Sequence, residues 1–340
     1  MSEQEIKFIN QNIGIFCCPK CNGELDFKSE IFRCLSCNQI YQIHNDVPSL
    51  FWPNEWSSSK EDVTEKIKSF YEENPFPNYD DFDNAGSLLD KARKSIFAKL
   101  LDDQVPFGSY VLDCGCGTGQ FTNFLSIGNR TVIGTDICLN SLRLAQEFKN
   151  INDLERAHFY QMNLFRPCFK PHSFDLVISN GVLHHTSNPL LAFKSISTLV
   201  KPQGFILVGL YHKYGRLLND LRRIIFKLSK DKLKFLDSRT INENVAKAKR
   251  DSLFMDQYKN PHESKHTFGE VLKWLKDTEF TFINSVPKTT PFTDFYESEL
   301  LFQPNKPGNV LQRFVVNIGM IFSGHSEGGF FFVIAKKSNF

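Results

Sequence analysis

Between about residue 105 and residue 211, short apolar runs alternate with amphipathic stretches. Residues 110–113, 131–135, 158–161, 174–179 and 205–210 read as strands, and 139–149 and 189–200 as helices between them. The run Phe174-Asp175-Leu176-Val177-Ile178 is apolar on both faces, the mark of a strand buried from two sides. Alternation of this kind predicts a parallel sheet wrapped by helices. Upstream, 63–72 and 87–101 read as helices, separated by Asn74-Pro75-Phe76-Pro77-Asn78-Tyr79, where proline cannot continue a helix. Downstream the rhythm stops: 213–250 reads as helical, with Leu217, Leu218, Leu221, Ile224, Ile225 and Leu228 as its apolar stripe. It resumes with a helix over 268–277 and a strand over 280–286, then an irregular stretch and a last strand over 329–335. The fold class expected is therefore α/β: a doubly wound, mostly parallel seven-stranded sheet. A small N-terminal ribbon precedes it, and a helical insertion follows the fifth strand. The divisions are 1–53 for the ribbon, 54–104 for a linker and helical cap, and 105–340 for the large domain, with 211–266 as the insertion.

Composition changes this picture little. A chain of 340 residues has room for one large and one small unit, and a net charge of +2 neither demands nor excludes nucleic acid. The insertion is locally basic, with twelve Lys/Arg against four acids over 213–250. No apolar run approaches the roughly 20 residues that cross a bilayer, and the N-terminus lacks a signal-peptide pattern. A cytoplasmic location is expected, with the nine cysteines reduced or metal-bound.

The cysteines are unevenly placed: five lie in the first 37 residues. Cys18-Pro19-Lys20-Cys21 and Cys34-Leu35-Ser36-Cys37 form two C-x-x-C knuckles twelve residues apart. Facing knuckles supply four thiolates in the tetrahedral arrangement zinc favours, and a four-cysteine set leaves no open position for catalysis. Cys18, Cys21, Cys34 and Cys37 are thus assigned to a structural Zn²⁺; a redox pair or chance clustering is the alternative. Cys17 has a thiol but not the spacing. A ribbon this small needs its metal to fold. Knuckles and tail over 13–52 resemble the zinc-ribbon activator subunits of tRNA and protein methyltransferases, with Asn45-Asp46-Val47-Pro48 lacking the glycine usual in that tail.

The central signal is Val111-Leu112-Asp113-Cys114-Gly115-Cys116-Gly117-Thr118-Gly119, a strand ending in an acid and entering a glycine loop. Glycines let a ligand approach the backbone. The acid discriminates between ligands, because a pyrophosphate at this helix N-terminus would be repelled by Asp113, whereas a sulfonium or an ammonium would be attracted. Gln120 also stands where a dinucleotide fingerprint needs glycine.

This segment resembles motif I of the class I S-adenosylmethionine-dependent methyltransferases, most closely the ubiquinone-type small-molecule branch, and later segments follow the same order. The resemblance implies S-adenosyl-L-methionine as cofactor, with Asp113, Gly115, Gly117 and Gly119 in its loop. It also implies Asp136 on the ribose hydroxyls with Ile137 beside it, and Asn163 and Leu164 at the adenine. Phe174 to His185 resembles the fourth-strand motif, which adds Asn180, and Leu199-Val200-Lys201-Pro202-Gln203-Gly204 the approach to the fifth strand. Asn180 begins no Asn-Pro-Pro-Tyr signature, which argues against amine or amide methylation by that route.

Methyl transfer is an in-line displacement, so alignment and exclusion of water dominate, with a base only where the acceptor holds a proton. His184 and His185 follow the strand end facing the methyl group in this family; one is the expected base, and packing is the competing role. Tyr71 is either an aromatic lid or a packing residue. Arg216, Arg222 and Arg223 are either receivers of an anionic acceptor or a solvated face. The leading expectation is a small-molecule or medium-sized metabolite acceptor. An RNA substrate is the first alternative, although the ribbon carries only Lys20, Lys28 and Arg33 as basic residues. A non-catalytic scaffold with a protein partner on the ribbon is the second.

Overall fold

The computed structural model describes residues 1–55, 63–77, 79, 83–243, 245–323 and 328–339. Ser57, Ser58 and Ser59 of the expected linker, and Asn78, lie outside the described residues. The seven expected strands form one sheet: β1 (Tyr110–Cys114), β2 (Thr131–Asp136), β3 (Ala157–Gln161), β4 (Phe174–Asn180), β5 (Val200–Tyr211), β6 (Phe280–Val286) and β7 (Phe330–Lys337). Their spatial order is β6-β7-β5-β4-β1-β2-β3. All run parallel except β7, which pairs antiparallel with both β5 and β6. Leu112 pairs with Ile133 on one side and Val177 on the other, and Val111 with Val132 and Leu176, so successive rows make the centre of the sheet apolar on both faces.

Alternate residues face two layers. Leu112, Ile133, Val177 and Val208 look toward the face covered by α7 (Pro189–Ser197) and α10 (Phe268–Asp277), where Phe16 and Phe32 of the N-terminal module also pack. Val111, Val132, Leu176 and Leu207 look toward the face holding Leu88, Leu100, Leu101, Phe124 and Leu125. The last two belong to α5 (Gln120–Ile127), which follows the glycine loop. Beyond β2 lies α6 (Leu139–Ile151).

The N-terminus is helical: α1 (Glu3–Asn12) starts with the Ser2 side chain accepting from the Glu5 amide. Three local expectations are corrected. The helix expected over 87–101 is two, α3 (Ala85–Arg93) and α4 (Ile96–Gln104), because Ser95 turns to extended backbone. Arg93 then reaches Asp102 and Asp103 across the corner. Among the described residues, α-helix in the insertion is confined to α8 (Leu217–Leu228) and α9 (Lys247–Phe254). After α8, Lys230 and Asp231 take left-handed backbone, which stops a helix. Finally, the irregular stretch before β7 contains α11 (Val310–Ser323), capped reciprocally by Asn309 and Gln312. Ahead of these cap helices, α2 (Thr64–Glu73) covers the carboxyl ends of the strands. Among the described residues no helix is long and apolar enough to cross a membrane.

Candidate active site

In an open parallel sheet, ligands bind beyond the carboxyl ends of the strands where the strand order reverses. Here that point lies between β1 and β4. The loop leaving β1 is held in left-handed backbone at Gly115, Gly117 and Gly119. At Gly117 a Cβ would lie 2.2 Å from the Phe76 carbonyl oxygen, so the glycine admits the protein's own cap segment. Thr118 Oγ1 fastens the same segment by donating to the Pro77 carbonyl. Gly119 opens α5, and a Cβ there would strike Ala145 and Phe159. It serves helix–strand packing and does not line the cavity.

Asp113 is 2 % exposed and accepts from Thr122 Oγ1 at 2.7 Å. Burial pushes its carboxyl up to about 7; the Thr122 bond works against that shift and the charge of Asp136 adds to it. Asp136, at the end of β2, accepts from the Gly117 and Cys138 amides, each at 2.9 Å. Burial still raises its pKa. Nearby, Glu72 of α2 accepts from the first amides of α6, Leu139 at 2.8 Å and Asn140 at 3.0 Å, a carboxylate on a helix N-terminus. Asn163 donates to the Trp52 carbonyl at 3.0 Å and to Asn54 Oδ1 at 2.8 Å, and accepts from the Phe165 amide. Its amide group therefore ties the end of β3 to the chain just after the cysteine module.

Facing these acids is a second polar group. Tyr71 donates to Asp256 Oδ1 at 2.8 Å and accepts from Asn260. Burial, then the Asp256 charge, pushes its phenol well above the ordinary range. Tyr211, at the end of β5, shares Asp256 and accepts from Gln257. His185 donates from Nδ1 to the His262 carbonyl at 2.8 Å. A carbonyl cannot donate, so in the neutral ring Nε2 carries the lone pair. Burial holds its pKa below the ordinary value, which keeps the ring neutral at pH 7. His184 sits deeper, with Nδ1 accepting from the Tyr211 amide and its ring against the Tyr211 ring.

Together these elements wall a cavity of about 690 Å³. Of the residues expected at a cofactor, Asp113, Gly115, Gly117, Asp136, Ile137, Asn163, Leu164 and Asn180 all line it; so do Tyr71 and His185, while Gly119 and His184 do not. The remaining wall comes from Phe76 and Pro77, from α3 and α4, and from Leu253, Asp256 and Gln257 of the insertion. Two of the three basic residues expected to meet an anionic acceptor, Arg216 and Arg223, are engaged elsewhere, and Arg222 does not line the cavity. Arg216 is 1 % exposed, bonds Glu263 Oε2 and Gln257 Oε1, each at 2.7 Å, and stacks 3.8 Å from the Tyr211 ring centre. Arg223 meets the same glutamate at 3.1 Å, and neither arginine lines the cavity.

Residues 112–208 match the family described as a methyltransferase domain. The matched span runs from β1 into β5 and carries the whole acid-and-glycine arrangement. Residues 112–208 therefore form a methyltransferase domain. The tRNA U34 carboxymethyltransferase of Idiomarina loihiensis is 31% identical over 137 residues, 37% of this chain and 41% of the relative. The Ubiquinone biosynthesis O-methyltransferase of Haemophilus ducreyi is 29% identical over 108 residues, 30% and 45% respectively. An uncharacterized Synechococcus protein is 25% identical over 197 residues, 51% and 47%. The chain thus spans about half the length of the curated relatives it matches.

The methyltransferase domain carries the cysteine module on its β3 side. Cys18, Cys21, Cys34 and Cys37 gather their sulfurs within 4.8 Å of one another, a donor set and spacing that fit a tetrahedral zinc ion. Cys17 is turned away toward the Pro167 carbonyl, and burial pushes its thiol up to about 11. Its amide instead bonds the Cys168 carbonyl at 2.9 Å, and Phe16, packed on Phe32 within the module, meets Tyr160 and Phe169 across the boundary. Helix α1 adds Glu5, bonded to Lys149 Nζ at 2.7 Å, His158 Nδ1 at 2.9 Å and the Tyr160 hydroxyl at 2.8 Å.

Sequence reasoning missed Glu72, Asp256 and Gln257. Glu72 follows Tyr71 in a stretch already marked, and its role as acceptor for the first amides of α6 had no local signal. Asp256 and Gln257 lie in a single turn of π-helix at Met255–Lys259, in a stretch with no motif.

Proposed function

We propose that the chain transfers a methyl group from S-adenosyl-L-methionine to a small or medium-sized acceptor bound in the cavity of about 690 Å³. The observation that carries this reading is the convergence of Asp113, Asp136 and Asn163 on one cavity wall, with His185 and Tyr71 on the same cavity. S-adenosylmethionine supplies an electrophilic methyl on a cationic sulfur. Asp113 favours that positive charge, and it is buried in a site where no phosphate would be welcome. Asp136 offers its remaining lone pairs to the ribose hydroxyls, while Gly117 and Cys138 hold the carboxylate still. Ile137 and Leu164 supply the apolar contacts, and Asn163, its amide committed to Trp52 and Asn54, retains acceptor capacity at its carbonyl oxygen. Asn180 completes the floor.

His185 is the proton acceptor where the acceptor atom carries a proton: neutral, with its tautomer set by His262. Tyr71 and Tyr211, both on Asp256, hold the insertion over the sheet and keep water out. Cys18, Cys21, Cys34 and Cys37 bind one zinc ion that holds the ribbon in shape.

The test is incubation with methyl-labelled donor and cell extract, followed by separation into small molecules, RNA and protein. Label in the small-molecule fraction is expected. Label confined to RNA would replace the acceptor class, and donor binding without any turnover would leave a cofactor-binding scaffold.

A further inference from the structure

Beyond the cavity, the insertion carries an outer face that the methyl-transfer chemistry does not use. On α8, Leu217, Leu221, Ile224 and Leu228 form one stripe at helical spacing, and they are 47% to 80% exposed. Phe235 and Leu236 extend it at 58% and 39% exposure. Isolated exposed leucines need no explanation, but a continuous stripe of this kind does.

The charges beside it are lopsided. Asp220, Asp231 and Asp237 are each paired, with Lys265, Lys259 and Arg239. Lys213, Lys227, Lys230 and Lys232 are exposed, and their ammonium groups have no hydrogen-bond or ion-pair partner among the described residues. The apolar stripe is therefore bordered by uncompensated positive charge. Next to the start of α8 lies α11, joined to it through His212 Nε2 on Asn317 Oδ1 at 2.8 Å and Gly215 beside Met320. Its exposed side, Val310, Leu311, Phe314, Val315 and Ile318, holds no charge at all.

We propose that this face lies in the plane of a lipid bilayer bearing anionic headgroups. The leucine stripe and α11 enter the headgroup–acyl boundary, and the four lysines meet the headgroups. Apolar residues on one face and lysines beside them are the two signals a reversible surface anchor combines. Each lysine near an anionic surface strengthens binding several-fold, and that part is screened by salt. A second copy of the chain fits the same face less well, because a two-fold contact through α8 would bring two sets of Lys227, Lys230 and Lys232, all of one sign, to a single interface without acidic partners. Neither helix is long enough to cross the membrane, so the anchor lies along its surface.

The experiment is flotation of the full chain, without methyl donor, with phosphatidylcholine vesicles and with vesicles in which about a third of the lipid is phosphatidylglycerol. Co-flotation with the anionic vesicles alone is expected, falling at least tenfold at about 0.5 M salt. Lys227→Glu with Lys230→Glu and Lys232→Glu should abolish it. Leu221→Ser with Ile224→Ser should weaken it at least tenfold, with the thermal unfolding of the free protein unchanged. Hydrogen exchange of the unmodified chain gives a second reading that needs no variant: protection by anionic vesicles is expected over 213–236. The proposal is overturned by absence of flotation, by equal flotation with both vesicle types, or by exchange that vesicles leave unaltered. Self-association that the leucine substitutions remove, seen in sedimentation, would assign the face to a protein partner instead. Because no donor is present, a negative result here leaves the methyl-transfer reading untouched.

Discussion

Asp113 gives the sharpest test of the site, through Asp113→Asn. Burial holds this carboxyl near 7, against an ordinary 3.8. The interval is about 3 pH units, and at about 1.4 kcal/mol per unit the ionised form opposes folding by about 4 kcal/mol above pH 7. A carboxyl with a raised folded pKa binds more protons when folded, so its contribution to stability falls as pH rises between about 4 and 7. Asparagine keeps an oxygen for Thr122 and removes the charge. The variant of the free protein should be more stable than the parent by about 2 kcal/mol near pH 5.5 and about 4 kcal/mol near pH 8. Urea unfolding at both pH values measures this difference, since m is expected to be shared. In titration calorimetry the variant should bind S-adenosylmethionine at least tenfold more weakly near pH 8, a loss of about 1.4 kcal/mol. The parent's affinity should rise from about pH 6 to pH 8 while the variant's stays flat. A gain in stability equal at both pH values, or none at pH 8, would refute the reasoning that an isolated buried carboxylate awaits a cation here.

Other substitutions probe the remaining buried charges and the chemistry. Arg216→Met leaves Glu263, 1% exposed, with the partly exposed Arg223 at 3.1 Å and the longer Lys265 contact at 3.8 Å; a loss of about 3 kcal/mol is expected in thermal unfolding, and adding Glu263→Gln should recover most of it. At Glu5 burial alone would push the carboxyl up, but His158 and Lys149 outweigh it and hold the group at about 2 against an ordinary 4.5. Its contribution, about 3 kcal/mol, should be present above pH 4.5 and disappear as pH falls toward 2, and Glu5→Gln should flatten that part of the acid unfolding curve. His185→Gln should lower kcat by about a hundredfold for a proton-bearing acceptor while donor affinity holds. Because burial lowers the His185 pKa, the acidic limb of the parent's rate profile should lie below 6.5. Cys21→Ser, or a chelator, should release one zinc ion per chain by elemental analysis and expose Trp52, seen as a red shift in its emission. Unchanged metal content would remove the zinc assignment.

What the linear chain determined was local. The β1 strand, its acid and the glycine loop are contiguous, so the backbone that makes a donor site could be read from nine residues in a row. The paired knuckles were readable for the same reason, since two thiolates on one tight turn need only four residues. Central strands such as β4 announced themselves as apolar runs because both their faces are covered. Tertiary structure decided the rest, wherever the partner lies far along the chain. It placed Phe76 over Gly117, and thereby changed what that glycine is for. It tied Asn163 to Trp52 and Asn54, and drew Asp256 under two tyrosines from separate parts of the chain. It also separated two adjacent histidines, setting His185 on the cavity and His184 behind it. No pattern of neighbours encodes such outcomes, because burial and hydrogen-bond partners are properties of the packed chain, and they determine which carboxyl is strained and which arginine is already engaged.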